Sequence, residues 1–285
     1  MQATRVTQAE TDAIARAVSI ALAEDIGSGD LTAGLIGERS VAEASVVVRD
    51  EAVLCGLPWF DQVFEQLDPS IETRWLYADG DALSPQATVC RMTGPARAIL
   101  TGERTALNFL QLLSGTATAT RAFVSAIRGT RARILDTRKT IPGLRSAQKY
   151  AVACGGGSNH RMGLYDAVLI KENHIAAAGG LTRAVVAAEA QDGPVLIEVE
   201  VETLEQLREA LTTTAKRVLL DNFSIEDLRQ AVNLRDAGRR ELELEASGGI
   251  NLGNVRAVAE TGVDFISVGE ITKHVRATDY SMRFV

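Results

Sequence analysis

The run L-E-L-E-A-S-G-G-I-N-L-G-N-V-R-A-V-A-E-T-G-V-D-F-I-S-V-G extends from Leu242 to Gly269. Two short apolar segments, 242–247 and 265–269, flank an amphipathic stretch over 252–260. Each segment is too short for a helix and ends in small or polar residues, so the spacing predicts strand, helix, strand. The same unit recurs upstream. Segments 133–136, 167–171, 195–200 and 218–221 repeat the apolar run with a polar end, and helical stretches over 180–190, 204–211 and 224–234 lie between several of them. Repeating strand–helix units of this size give an α/β fold with a parallel sheet. A barrel is favoured over an open sheet because every strand end carries a functional-looking group, and barrels gather such groups at the carboxyl ends of their strands. Only six such segments can be read, short of the eight of a full barrel. The expectation is an incomplete, TIM-like barrel over residues 131–271.

The chain before residue 131 has a different rhythm. Ile14, Ala17, Val18, Ala21 and Leu22 give helical spacing over 7–24, and a polar, Gly-rich break follows at 24–30. A β-branched stretch over 41–49 predicts a strand, 58–67 a short helix, and 71–77 and 87–92 two more strands. From Pro95 to 127 the pattern is helical, with Pro95 at a first helical position and interruptions expected at Gly102 and Ser114-Gly115. Residues 1–130 therefore form an expected second domain mixing helix and strand.

Composition bounds the function. Of 285 residues 46% are hydrophobic and 24% charged, enough apolar content for a large core. The formal net charge of −7 repels nucleic acid and anionic lipid on average. No apolar run approaches the ~20 residues of a membrane span, and the first twelve residues lack the apolar core of a signal peptide. Cys55, Cys90 and Cys154 are widely spaced and form no C-x-x-C pair. They are read as reduced thiols of a cytoplasmic protein.

Against that acidic background, residues 134–175 gather Arg138, Lys139, Arg145, Lys149, Arg161 and Lys171, with His160, His174 and the run Gly155-Gly156-Gly157. A single Lys or Arg is ordinarily a solvated surface residue. Several beside glycines and at strand ends suggest a pocket for a small, multiply charged anion. One rim would collect Asp136, Arg138, Lys139, Lys171, Glu200, Asp221, Ser247-Gly248-Gly249 and Gly269, with His160 and Arg161 carried in by the triple-glycine loop. At 4 Å and an effective dielectric near 20, each cation–anion contact is ~4 kcal/mol of gross attraction, mostly offset by desolvation. The acids Glu200 and Asp221 could hold Mg²⁺ or bond sugar hydroxyls. Ser247-Gly248-Gly249 before the 252–260 helix, and Val268-Gly269-Glu270 before Ile271, allow close backbone approach to a phosphate. Their place on the last two strands matches the usual phosphate position of barrels. His160 and His174 lack zinc-site spacing, and His174 can equally order its loop. The alternation Glu198, Glu200, Glu202 puts three carboxylates on one strand face; Glu200 is chosen for ligand contact, Glu198 and Glu202 for salt bridging. P-loop, dinucleotide, zinc-protease and serine-hydrolase signatures are absent from the sequence.

These residues resemble the quinolinate phosphoribosyltransferase family. The matching segments are Glu24-Asp25, Gly29-Asp30-Leu31-Thr32, Gly102-Glu103-Arg104-Thr105-Ala106-Leu107-Asn108, Leu135-Asp136-Thr137-Arg138-Lys139-Thr140, the triple glycine, and Asn159-His160-Arg161. They continue with Leu169-Ile170-Lys171-Glu172-Asn173-His174, the acidic run 198–202, Leu220-Asp221-Asn222, Ser247-Gly248-Gly249-Ile250 and the run 262–269. The resemblance implies an N-terminal α/β sandwich joined to a partial barrel, with a tail over 272–285 returning to the first domain. It implies a homodimer in which Arg104 enters the partner's site. It implies transfer of phosphoribose from phosphoribosyl pyrophosphate to quinolinate, with Mg²⁺, giving nicotinate mononucleotide, pyrophosphate and CO₂ in NAD synthesis. Thr137, Arg138, Lys139, His160, Arg161 and Lys171 would line the quinolinate and pyrophosphate region. Glu200 and Asp221 would meet ribose and metal, partly through substrate, and with Lys139 and Lys171 would carry the chemistry. Ser247, Gly248, Gly249, Val268, Gly269 and Glu270 would hold the 5′-phosphate. Glu270 departs from the small residue common there, so its contact is expected through the backbone. The rival readings are a nicotinate phosphoribosyltransferase, the related family linked to molybdenum transport, and a non-catalytic phosphate-sugar binder.

Overall fold

Strand β1, Val41–Val48, buries Ala44, Val46 and Val48 while the residues between them stay more exposed, the period-two signature of a sheet with one face on a core. The computed structural model describes residues 8–191 and 195–285. The first seven residues, including Thr7 where the expected N-terminal helix starts, lie outside the described residues. The described chain divides into two compact units, the first made of residues up to 121, 140–156 and 274–285, the second of 122–139 and 157–273.

In the first unit, β1 pairs antiparallel with β5 (Thr88–Pro95) and with the C-terminal strand Tyr280–Phe284, and β5 also pairs with β3 (Glu72–Trp75). A small ribbon joins β2 (Ala52–Val53) to β4 (Ala82–Leu83). The tail thus adds an edge strand to this sheet. Helices α1 (Gln8–Ile26), α2 (Leu57–Leu67), α3 (Ala96–Ala126) and α4 (Arg145–Cys154) complete the unit up to residue 121 of α3. Their apolar residues Val18, Phe60, Phe64, Leu110, Leu113 and Ala151 share one core with Val46, Val48 and Met92 of the sheet.

Helix α3 corrects two expectations. It runs unbroken for 31 residues through Gly102, Ser114 and Gly115. These glycines serve close packing rather than a break. A Cβ on Gly102 would stand 2.7 Å from the Phe64 ring, and one on Gly115 only 2.2 Å from the Arg276 carbonyl oxygen. Pro95 ends β5 instead of starting the helix. The boundary expected at residue 130 falls inside α3 instead, after residue 121, because a continuous helix offers no break at its end. Residues 140–156, expected in the barrel, pack with the first unit, where Ala147, Ala151 and Cys154 of α4 enter its core.

The second unit holds six parallel strands: β6 (Arg133–Leu135), β7 (Ala167–Ile170), β8 (Leu196–Val201), β9 (Arg217–Asp221), β10 (Glu243–Ser247) and β11 (Phe265–Ser267). Their order in the sheet is β6-β11-β10-β9-β8-β7. First and last strands are neighbours while first and second do not pair. This is the order of an α/β barrel left open between β6 and β7. Helices α5 (Glu172–Ala178), α6 (Leu181–Glu189), α7 (Leu204–Ala210), α8 (Ile225–Gly238), α9 (Val255–Ala259) and α10 (Glu270–Lys273) follow the strands. Thr203 starts α7 with a capping box to Gln206, as its Thr-x-x-Gln sequence dictates. Helix α9 has five residues and starts at Val255, later than the 252 expected. Asn251 and Asn254 form a turn before it instead: Asn251 N–H donates to Asn254 Oδ1 at 2.9 Å, and Asn254 Nδ2 donates to the Gly249 carbonyl at 3.0 Å. Gly248 and Gly249 are thus followed by an asparagine turn rather than by a helix N-terminus.

Candidate active site

Parallel strands put all their carboxyl ends on one side, and there the second unit opens a cavity of about 300 Å³. Its lining includes Thr137, Arg138, Lys139, His160, Arg161, Lys171, Glu200, Asp221 and Ser247. Residues far apart in sequence meet there because each ends a strand or sits on the loop behind one. The first unit has a larger groove of about 370 Å³, lined by residues such as Ile20, Ala21, Phe109 and Leu112, but no lysine or arginine lines it. Chemistry, more than size, points to the smaller cavity.

The loop after β6 is held by a buried acid. Asp136, fully buried, accepts from Asn159 Nδ2 at 2.5 Å and from the His160 backbone N–H at 2.9 Å. It anchors the loop that carries His160 and Arg161 and does not line the cavity itself. Arg138 Nε is buried with no hydrogen-bond partner among the described residues. Such a donor costs free energy until something accepts from it. Burial, and then the positive charge of Arg138, lower the pKa of the Arg161 guanidinium. Two cations that disfavour each other's charge suit an anion that satisfies both.

The acids occupy the facing strands. Lys171 pairs with Glu200. Burial and the neighbouring Glu200 charge raise the Asp221 carboxyl, while Lys171 and Lys139 oppose the rise. Asn222 adopts φ +57°, donates from its side chain to Asp221 at 2.8 Å, and donates its N–H to the Ser247 carbonyl at 2.9 Å. A Cβ at Gly248, which has φ +99°, would stand 2.1 Å from Asn222 Oδ1. Glycine is therefore required where the β9 and β10 turns touch.

Other expected site residues lie outside the cavity lining. Gly248, Gly249, Val268, Gly269 and Glu270 are close in sequence to lining residues but do not line it. The Val268 N–H is used by the Leu135 carbonyl at 2.9 Å and its side chain is fully buried. That backbone donor is not open to a phosphate, which corrects its expected role. Gly269 does border the site, since a Cβ there would meet Lys139 Cδ at 3.3 Å. Glu270 opens α10 and is half-buried. Arg104 is exposed on α3 in the first unit, beside Asp25, Asp30 and Thr101. Arg145 donates to Thr140 Oγ1 at 3.3 Å and Lys149 is buried in α4, so these two cations of the 134–175 cluster belong to the first unit. His174 Nδ1 accepts from the Lys171 N–H at 3.0 Å and caps α5.

The strand-face expectation for the glutamates also changes. Strand β8 ends at Val201, so Glu202 lies beyond it, its N–H donating to Gln206 Oε1 at 2.7 Å. Glu198 is buried against His160, whose Nε2 lies 2.9 Å from Glu198 Oε2. The cavity lining further includes Leu169, Leu219, Glu245 and Ser267, which the sequence reading passed over. The signal for Glu245 was present: it stands two residues before Ser247 and so shares its strand face.

Similarity to known proteins agrees with this geometry. The family model "Quinolinate phosphoribosyl transferase, C-terminal domain" matches residues 116–283, and its N-terminal counterpart matches 30–114. The chain belongs to the quinolinate phosphoribosyltransferase family. Among relatives of this family, the "Probable nicotinate-nucleotide pyrophosphorylase [carboxylating]" of Bacillus subtilis is 44% identical over 261 residues, covering 91% of this chain and 89% of that protein. The protein of the same description from Synechocystis is 43% identical over 265 residues, covering 93% and 90%. The solved nicotinate-nucleotide pyrophosphorylase of Francisella tularensis superposes with a TM-score of 0.94 at 47% identity, covering 100% of both chains. The family assignment places both the N-terminal sheet domain and the parallel-sheet domain of this chain within one known architecture.

Proposed function

We propose that this quinolinate phosphoribosyltransferase transfers the phosphoribosyl group of phosphoribosyl pyrophosphate to the ring nitrogen of quinolinate and releases CO₂. The products are nicotinate mononucleotide and pyrophosphate, in NAD synthesis. One observation supports the reading beyond the family itself. Arg138, Lys139, Arg161 and Lys171 meet in one cavity with Glu200 and Asp221, and the buried Arg138 Nε lacks an acceptor among the described residues. Planar guanidinium groups suit carboxylates, and lysines suit phosphate charge.

The pyridine nitrogen needs no general base, because its lone pair attacks C1′ of the ribose directly. The C1′–oxygen bond breaks and its electrons leave with pyrophosphate. Lys139 and Lys171 stabilise that developing charge. Glu200 and Asp221 bond the ribose hydroxyls and face the oxocarbenium-like carbon. The ribosylated ring is cationic, so the carbon–carbon bond to the adjacent carboxylate can break with its electrons held beside the positive nitrogen. CO₂ departs and the ring carbon takes a proton from solvent. The chain's part is positioning and electrostatics. Mg²⁺ suits the two acids: both are hard oxygen donors, and burial, then the charge of Glu200, raise the Asp221 carboxyl. When bound, the ion supplies charge neutralisation to the pyrophosphate. We further propose a cytoplasmic homodimer in which Arg104 reaches the partner's cavity; the exposure of Arg104 supports this. Among the described residues no helix is long and apolar enough to cross a membrane.

The test is release of labelled CO₂ from carboxyl-labelled quinolinate in the presence of phosphoribosyl pyrophosphate and Mg²⁺. Label appearing as CO₂, with equal nicotinate mononucleotide, is expected. Turnover of nicotinate without release from quinolinate would overturn the assignment.

A further inference from the structure

At the floor of the cavity, two acids converge on one histidine, and His160 and Glu245 belong to its lining. Glu198 on β8 and Glu245 on β10 are 1% and 0% exposed. Their oxygens lie 2.9 and 3.6 Å from His160 Nε2. The other ring nitrogen, Nδ1, accepts the Arg161 backbone N–H at 2.7 Å. An Nδ1 that accepts cannot hold the proton of a neutral ring, so this network assigns the proton to Nε2, facing the acids. Nδ1 is therefore held by a hydrogen bond and Nε2 by close charge contact, since Glu198 Oε2 and Glu245 Oε2 have no hydrogen-bond partner among the described residues. The imidazole is placed to hold the backbone of Arg161 rather than to offer a nitrogen to a ligand. Glu245 is itself fixed from behind: Ser267 Oγ donates to its Oε1 at 2.6 Å, and Arg217 stands 3.6 Å from its Oε2.

Stability alone does not explain this arrangement. Buried ionic groups are often matched or exceeded in stability by apolar residues of similar size. Burial, and then the facing Glu198 charge, push the Glu245 carboxyl up to about 8.

We propose that Glu198 and Glu245 are positioning residues for quinolinate: they lock His160, and His160 sets where Arg161 presents its guanidinium to a substrate carboxylate. This rests on the quinolinate reading above. Arg161 is the link to the ligand because it lines the cavity and its Nη1 is already steadied by the Ala167 carbonyl at 3.2 Å. Loss of the acids should thus misplace one cation, with the phosphoribosyl side of the cavity left in place.

The experiment uses the full-length enzyme with Mg²⁺, varying quinolinate and phosphoribosyl pyrophosphate separately. Glu198→Leu should raise the KM for quinolinate by about tenfold or more, as expected for the loss of a buried charge contact. The KM for phosphoribosyl pyrophosphate should stay within about twofold. Glu198→Gln keeps a polar oxygen against the imidazole and should restore the KM for quinolinate to within about threefold of the wild type. An unchanged quinolinate KM in Glu198→Leu overturns the proposal, as does an equal rise in both KM values. Nitrogen-15 shifts of His160 in the wild-type enzyme provide a readout should Glu198→Leu fail to fold. An Nε2-protonated ring is expected, and an Nδ1-protonated ring overturns the proposal. Wild-type enzyme that releases no CO₂ from quinolinate sinks the reaction assignment instead, so the two failures are distinguishable.

Discussion

Arg138 shows how a single residue can be at odds with its own fold. Its Nε is buried without an acceptor among the described residues, and its charge opposes that of Arg161. Both conditions cost stability. Arg138→Ala should therefore raise the KM for quinolinate by about 10- to 100-fold, the range for a lost charged hydrogen bond. It should leave the melting temperature unchanged or slightly higher, a trade between stability and function. Steady-state kinetics and thermal denaturation of the same preparation check both halves. Near-native quinolinate affinity would remove Arg138 from the site. At this scale the cations were legible in the sequence, since Arg138, Lys139, Arg161 and Lys171 stand out within 134–175 of an acidic chain. The pairing of His160 with Glu198 and Glu245 was not, because the three lie on separate elements and only the folded barrel turns them toward one another.

Helix α3 carries the lesson at the level of elements. Glycine inside a helix costs ~1 kcal/mol relative to alanine, so Gly102 and Gly115 read as interruptions. The packing reverses that reading. The Arg276 carbonyl sits where a Cβ on Gly115 would go, and helix propensity yields to close contact with the C-terminal segment. Gly115→Ala should destabilise the protein by about 1–3 kcal/mol, the usual cost of overpacking, despite the better helix propensity of alanine. Denaturant unfolding measures it, and a stabilised variant would show that the segment moves aside freely. Helix α9 makes the opposite point: amphipathic spacing over 252–260 held for Val255, Val258 and Ala259, which are buried. The first part of that stretch went to an asparagine turn, because Asn side chains compete for backbone donors.

At the scale of the whole molecule, the proposed dimer bears on how the site is completed. Arg104 lies in the first unit, exposed on α3. If it serves a partner's cavity, Arg104→Ala and Lys171→Ala should each be nearly inactive, and mixing them after dissociation should recover about a quarter of wild-type activity, since half the random dimers are hybrids with one intact site of two. Measured recovery near zero would place Arg104 outside any shared site. The two units also show why domain limits were read imperfectly. Residues 140–156 follow the first barrel strand in sequence but join the other core through Ala147, Ala151 and Cys154. Local periodicity cannot say which of two cores a helix will enter.

The sequence by itself determined the strand–helix repeat, the parallel sheet, the anionic character of the ligand and the family. These follow from local pattern: periodicity for the elements, and charge gathered beside glycine for the pocket. Tertiary structure alone decided that the first strand neighbours the last, leaving the barrel open between β6 and β7. It also decided that Asp136 anchors a loop and that the Val268 N–H is already taken. Each of these depends on contacts between distant residues, whose pairing is set by how the elements pack and by which buried polar groups must find partners.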